Sequence, residues 1–269
     1  MNWWGKLIGG TFGYMLGGPI GALLGAALGH KFDKGLSRFN VDFDDLGGAD
    51  VERIQTAFFT TTFSVMGHIA KADGHVSADE IDVAKQVMAQ MQLNQQQRQA
   101  AIKLFNEGKR ADFPLEDVIT QFRQECRRRQ NLMRMFIEIQ LHAAYADGTV
   151  HEKERDLLQQ ICLLLGFSSH EFNHIERMVQ AAHGGFQQNA HGEHQSQEQL
   201  VSEAYSILDV QSSVSDAEVK KAYRRLMNQH HPDKLVSKGL PEEMMKIATE
   251  KSQEIRAAYD LIKKTRGMR

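Results

Sequence analysis

Two cysteines, Cys126 and Cys162, are all that 269 residues contain, too few for a disulfide framework and consistent with a reducing compartment. Proline is scarce as well: 4 residues interrupt the chain, and apolar residues recur with helical spacing almost everywhere else. Neither sign of charge dominates. With 32 Lys+Arg against 34 Asp+Glu, whole-chain electrostatics argue neither for nor against nucleic acid. No Ser/His/Asp or Cys/His set and no phosphate-cradling glycine loop has persuasive spacing, so nothing marks an enzyme. The length suits one or two domains and allows a sizeable core. The fold expected is nearly all-α.

The longest stretch without charge runs from Leu7 to Gly29, between Lys6 and Lys31. As a helix it reaches roughly 35 Å, enough for a hydrocarbon core of about 30 Å. Residues 1–30 therefore read as a single transmembrane helix. Gly9, Gly13, Gly17, Gly21, Gly25 and Gly29 recur every fourth position, which puts them on one face, a smooth seam that favours helix pairing in a membrane. Trp3, Trp4 and Tyr14 supply interfacial anchoring. Lys31, Lys34 and Arg38 follow the span while Lys6 and the amino terminus precede it, so the positive-inside rule places the C-terminal side in the cytoplasm. Two other readings compete. A cleaved signal peptide lacks its basic start and small-residue site here, and a buried glycine-rich helix in a soluble domain fits the low insertion propensity of glycine.

Residues 31–50 read as a juxtamembrane linker. Beyond them Val51, Ile54, Phe58, Val65, Met66 and Ile69 keep helical spacing up to the Asp73-Gly74 turn, after which Ser77 and Glu80 form a capping box. The phrase then repeats: His68 to Glu80 aligns with His142 to Glu154, each copy ending a helix, turning at Asp-Gly and starting another. Further helix starts are signalled at Asp112-Phe113-Pro114 and at Ser168 with Glu171. This duplicated pattern resembles the TerB (tellurite-resistance) type of helical domain, over residues 51–183. Asp73, Asp79 and Glu80, with Asp147, Glu152 and Glu154 in the second copy, invite a metal reading. An EF-hand loop alternates acidic residues before its glycine and these turns carry one each, so caps and turn chemistry explain them and no metal is assigned. His68 and His142 sit at equivalent repeat positions, which argues for structure over catalysis. Arg123, Arg127, Arg128, Arg129 and Arg134 make the densest basic cluster, read first as a solvated face, with an acidic partner or anionic lipid as the alternatives.

Residues 184–198 are rich in Gly, Gln, His, Asn and Ser and read as a flexible tether; His183, His191 and His194 lack the spacing of a defined metal site. Residues 199–269 form the last module. Leu200, Ala204, Ile207 and Leu208 suit a first short helix. Ser215 and Glu218 cap a second, whose apolar face holds Val219, Ala222, Tyr223 and Leu226. Lys220 with Arg224 and Lys221 with Arg225 are like-charged i,i+4 pairs, a pattern that weakens a helix and so points to an acidic partner. Pro232 ends that helix and forces His231 out of α space, so His231 and Asp233 are presented on a stiff loop. A third helix begins near Leu240 to Glu243 and packs Ile247, Ile255, Ala258, Tyr259 and Ile262 back on the second.

Helix, His-Pro-Asp loop, helix resembles the J-domain of the DnaJ (Hsp40) co-chaperones; Asp209 stands where that family usually has Gly. The resemblance implies docking of Lys220, Lys221, Arg224 and Arg225 on an acidic groove of an Hsp70 ATPase, with His231, Pro232 and Asp233 triggering its ATP hydrolysis. The chain would regulate an enzyme without being one, would carry no cofactor and would bind no nucleic acid. It lacks the Gly/Phe-rich region and Cys-x-x-Cys zinc module of full DnaJ proteins. The order of its parts resembles the bacterial membrane-anchored DnaJ-like co-chaperones, which implies an inner-membrane location, a homodimer through the glycine seam and a part in envelope stress. A rival reading makes the middle domain primary: a membrane scaffold binding metal or protein, with the J-domain auxiliary.

Overall fold

The computed structural model describes residues 48–72, 85, 87–89, 91, 93–145, 150–185, 197–241 and 244–268. The transmembrane helix with its glycines, Asp73, Gly74, Ser77, Asp79, Glu80, Asp147 and the tether residues 186–196 lie outside the described residues. Among those described, every regular element is a helix and none is long and apolar enough to cross a membrane.

Among the described residues the middle domain has the helices Gly48–Ile69 (α1), Gln95–Gly108 (α2), Leu115–Glu125 (α3), Gln130–Ala144 (α4), Glu152–Leu164 (α5) and Ser169–Gly185 (α6), with residues 85 and 87–89 also helical. The first begins at Gly48, so the last residues of the expected linker are helical. α2 and α3 run antiparallel to α1, with Phe105 opposite Gly67 and Phe122 opposite Phe58. Phe58 meets Phe122 and Phe136 edge-on at the centre, and those two pack tilted on each other, with ring centroids 4.9–6.3 Å apart. A β-carbon on Gly67 would run into the Phe105 carbonyl and one on Gly108 into the Ser64 carbonyl, so α1 and α2 touch backbone to backbone. Both cysteines are free and buried, and desolvation pushes each thiol up to about 12.

The predicted caps are in place where they are described. Ser168 and Glu171 exchange hydrogen bonds of 2.8–3.2 Å at the start of α6, and the charge-assisted bond to Glu171 holds its carboxyl below the usual range. Asn94 with Gln97 caps α2, and the His151 backbone N–H donates to Glu154 at 3.0 Å, which accounts for that acidic residue without a metal. Pro114 stands at the N-cap position, immediately before α3.

The C-terminal module holds Gln197–Ile207 (α7), Asp216–His230 (α8), Pro232–Val236 (α9) and Met245–Arg266 (α10). α8 and α10 form the expected hairpin: Val219, Leu226, Ile255, Ala258 and Ile262 are buried together, and Tyr223 stacks on Tyr259 at 4.2 Å. Arg266 pins the far end, donating to the carbonyls of Ser212 and Val214 at 2.6 and 2.7 Å. The two modules share a seam. Met178 of α6 is buried in the C-terminal core, whereas Leu235, Leu240, Met244 and Ala248 are buried in the middle domain's core. Ile247, expected to close the hairpin, packs on the middle domain, because the start of α10 lies over α4 and not over α8.

Candidate partner-docking site

The basic helix is set by its cap. The backbone N–H of Ser215 donates to Glu218 at 2.8 Å, the N–H of Glu218 donates back to Ser215, and Asp216 adds a second negative charge in the first turn. One turn on, Val219, Ala222 and Leu226 are buried, which turns Lys221, Arg224 and Arg225 outward and leaves Lys220 half-buried. The four predicted docking residues are therefore not equivalent. Lys221 and Arg224 reach solvent, while Arg225 donates to Asp209 at 3.1 Å.

Asp209 is the centre of a bridge that sequence reasoning missed. Its backbone sits at φ 55, the left-handed region that glycine enters without cost and other residues rarely adopt. In exchange its carboxylate lies 2.7 Å from Nδ1 of His174 on α6 and 3.1 Å from Arg225 on α8, joining the two modules through the basic helix. Partial burial, the largest single influence, pushes the Asp209 carboxyl up, yet His174 and Arg225 together hold it below the usual range. Only the departure from glycine at 209 hinted at this.

The loop follows from Pro232. His231 adopts φ −62 and ψ 123, extended as the following proline requires, and closes α8. What comes next differs from the expected turn: Pro232 opens the short helix α9, where its missing N–H costs nothing and its fixed φ suits the first position. Lys234 and Leu235 donate to the His231 carbonyl at 3.1 Å, Lys234 also bonds Asn228, and Leu235 is fully buried. The loop is thereby nailed down on one side. On the other, the Asp233 side chain is 85% exposed and that of His231 44% exposed, with 4.0 Å between their nearest polar atoms, too far for a hydrogen bond. Asp233 points outward; His231 is half-exposed, with its Nδ1 buried and without a hydrogen-bond partner.

Directly beneath, His230 is buried and faces Glu138 of α4 at 3.5 Å, while its carbonyl accepts from Ser252 at 2.8 Å. Burial, the largest influence, drives the His230 imidazole below its ordinary range against the pull of Glu138. A cavity of about 50 Å³ lined by Glu138, His142, Lys251 and Glu254 adjoins the pair. Met135, Ile139, Val179 and Ile247 make most of its wall apolar, and no protein donor reaches the Glu138 oxygens. Among the described residues no cluster of His, Cys, Asp and Glu has the makings of a metal site.

Three stretches of the chain match family models in the order read from the sequence: residues 1–39 the Co-chaperone DjlA transmembrane domain, 60–177 Tellurite resistance protein TerB, and 203–267 the DnaJ domain. Co-chaperone protein DjlA of Photobacterium profundum is 47% identical over 279 residues, covering 99% of this chain and 100% of its own. The proteins of the same name from Vibrio cholerae and Coxiella burnetii are each 45% identical over the full length of both chains. No solved structure matches. With a transmembrane-domain match, a TerB domain and a J-domain carrying its His-Pro-Asp loop, this chain belongs to the DjlA family of co-chaperones.

Proposed function

We propose that the chain binds a cytoplasmic, DnaK-type Hsp70 through its J-domain and stimulates that partner's ATP hydrolysis, itself catalysing nothing. One observation carries the reading. An exposed Asp233 and a half-exposed His231 stand on a segment clamped by Leu235 and by the Ser252 bond to His230, beside a helix face where Lys221 and Arg224 are exposed. Preorganised groups lose little entropy on docking, and basic side chains steer an acidic groove toward them. Asp233, acceptor-only, is suited to a bidentate bond from a partner arginine, strengthened as water is excluded. Arg225 contributes less to steering than Lys221 and Arg224, because Asp209 holds it.

The membrane placement completes the proposal. The span in residues 1–30 sits in the bacterial inner membrane with its C-terminal side cytoplasmic, pairs with a second copy through Gly9, Gly13, Gly17, Gly21, Gly25 and Gly29, and places the co-chaperone at the site of envelope stress. The matching transmembrane-domain model over residues 1–39 supports the anchor. Single-turnover ATP hydrolysis by a purified DnaK-type Hsp70, with and without the full chain in lipid nanodiscs, is the test. Wild-type chain accelerates it and His231→Gln abolishes the acceleration; an unaccelerated Hsp70 refutes the function.

A further inference from the structure

We infer that the membrane-proximal end of the TerB domain is a docking surface for anionic phospholipid, formed by Arg127 and Arg128 with support from Arg53 and Arg129. The inference rests on the membrane-anchor reading and goes beyond it, because it concerns a folded face and not the span.

The geometry places these residues together. Arg53, in the second turn of α1, reaches Glu125, the last residue of α3, at 2.8 Å. The turn that follows Glu125 therefore lies at the same end of the bundle as the start of α1. That turn presents Arg127 and Arg128, both exposed and neither in an ion pair among the described residues, with Arg129 half-buried behind them. Arg53 itself remains 60% exposed beyond Glu125.

Folding does not account for these side chains. Arg128 sits at φ 68, a conformation for which glycine or asparagine is the usual choice. Arg129 precedes α4 without a side-chain cap, and the first turn of α4 has no acidic residue. Cations at a helix N-terminus oppose its dipole. The local chemistry would prefer other residues, so their value lies outside the domain.

Position identifies the partner class. The transmembrane-domain match ends at residue 39 and α1 begins at Gly48. Residues 31–47, between the span read in residues 1–30 and α1, reach roughly 60 Å fully extended. That tether leaves the basic end, the end of the domain nearest the span along the chain, free to reach the bilayer surface, where an anionic leaflet attracts cations. The linker itself supplies no net positive charge, since Asp33, Asp42, Asp44 and Asp45 offset Lys31, Lys34 and Arg38, so the attraction must come from the folded end.

The test uses the full chain reconstituted in vesicles. A bimane probe is attached at Gln124→Cys, an exposed position beside the patch, or at Lys153→Cys, exposed at the opposite end of α5. The native cysteines are buried with thiols raised to about 12, so they resist labelling. Quenching by headgroup spin-labelled lipid is compared in phosphatidylcholine and in phosphatidylglycerol-containing vesicles. The probe at 124 should be quenched with phosphatidylglycerol and released by high salt, while the probe at 153 stays unquenched. Each Arg→Gln change at 127 or 128 should lower the docked-to-undocked ratio about five-fold, and Arg→Lys should restore most of it. Equal signals in both lipids overturn the inference, as when the chain's own Asp42, Asp44 and Asp45 occupy the arginines. Flotation in phosphatidylcholine at high salt reads the anchor separately: a chain that does not float refutes the anchor, and one that floats without lipid-dependent quenching refutes the docking surface alone.

Discussion

His230 and Glu138 face each other at 3.5 Å across the seam between the J-domain and the TerB domain, both buried, one at the last residue of the basic helix and the other in the middle of α4. The His-Pro-Asp loop is therefore fixed to the TerB core from below, through the contact of His230 with Glu138. Around that pair Lys251 and Arg134 further disfavour a protonated imidazole, while Glu254 favours it.

The sign of the resulting pH dependence follows. Burial depresses the His230 pKa below its ordinary 6.5, so the unfolded chain binds a proton first as pH falls. Stability is full above about 6.5 and declines as pH falls below it. His142, depressed by burial and by Lys251, and His68, depressed by burial, act in the same direction. Thermal melting across neutral to mildly acidic pH should show a midpoint that drops with acid. The double variant His230→Phe/Glu138→Leu should have a flatter profile with stability retained at neutral pH, since an apolar pair of similar volume replaces buried polar groups that lack hydrogen-bond partners. Glu138→Leu alone should steepen the profile.

Asp209 gives a second test. A non-glycine residue in the left-handed region costs about 1 kcal/mol, and here the bonds to His174 and Arg225 offset it. Asp209→Gly removes strain and bridge together and should leave chemical-denaturation stability within about 1 kcal/mol of wild type. Asp209→Ala loses the bridge and keeps the strain, and should destabilise by about 2 kcal/mol. If alanine and glycine behave alike, the left-handed backbone at 209 is not a constraint.

What the sequence made legible was local. Ser215 with Glu218, Ser168 with Glu171 and Pro232 act within a few residues through capping and steric rules, so their helix boundaries read directly. The seam was not legible. His174 and Asp209 meet only because α6 and α7 pack, and no periodicity encodes that. Leu235, Leu240 and Met244 lie in a segment too short to show a period, so α9 and its burial went unseen. Ile247 belongs to a recognisable stripe, but a stripe does not say which neighbour covers it.

Gly67 and Gly108 probe the opposite side of the TerB domain. A β-carbon at either position would overlap a backbone carbonyl of the facing helix, and backbone cannot rotate away as a side chain can. Gly67→Ala should force α1 and α2 apart and cost about 3 kcal/mol or more, read as a lowered urea midpoint. A tolerated alanine would mean the helices are not in backbone contact.

The loop itself separates triggering from stability. Asp233 is exposed and makes no bond that holds the fold through its side chain, whereas Leu235, two residues on, is fully buried in the TerB core. Asp233→Asn should leave the melting temperature unchanged and remove Hsp70 stimulation, because the amide cannot match a carboxylate in pairing with arginine. Leu235→Ala should cost about 2–5 kcal/mol through the cavity it leaves and free the loop from the seam. Its effect on stimulation should then be partial, recovering when Hsp70 concentration is raised, since the trigger residues remain and only their preorganisation is lost. Measuring melting and ATP turnover on both variants distinguishes these outcomes. If Asp233→Asn stimulates like wild type, the outward carboxylate is not the trigger; if Leu235→Ala melts like wild type, the loop is not anchored on the TerB domain.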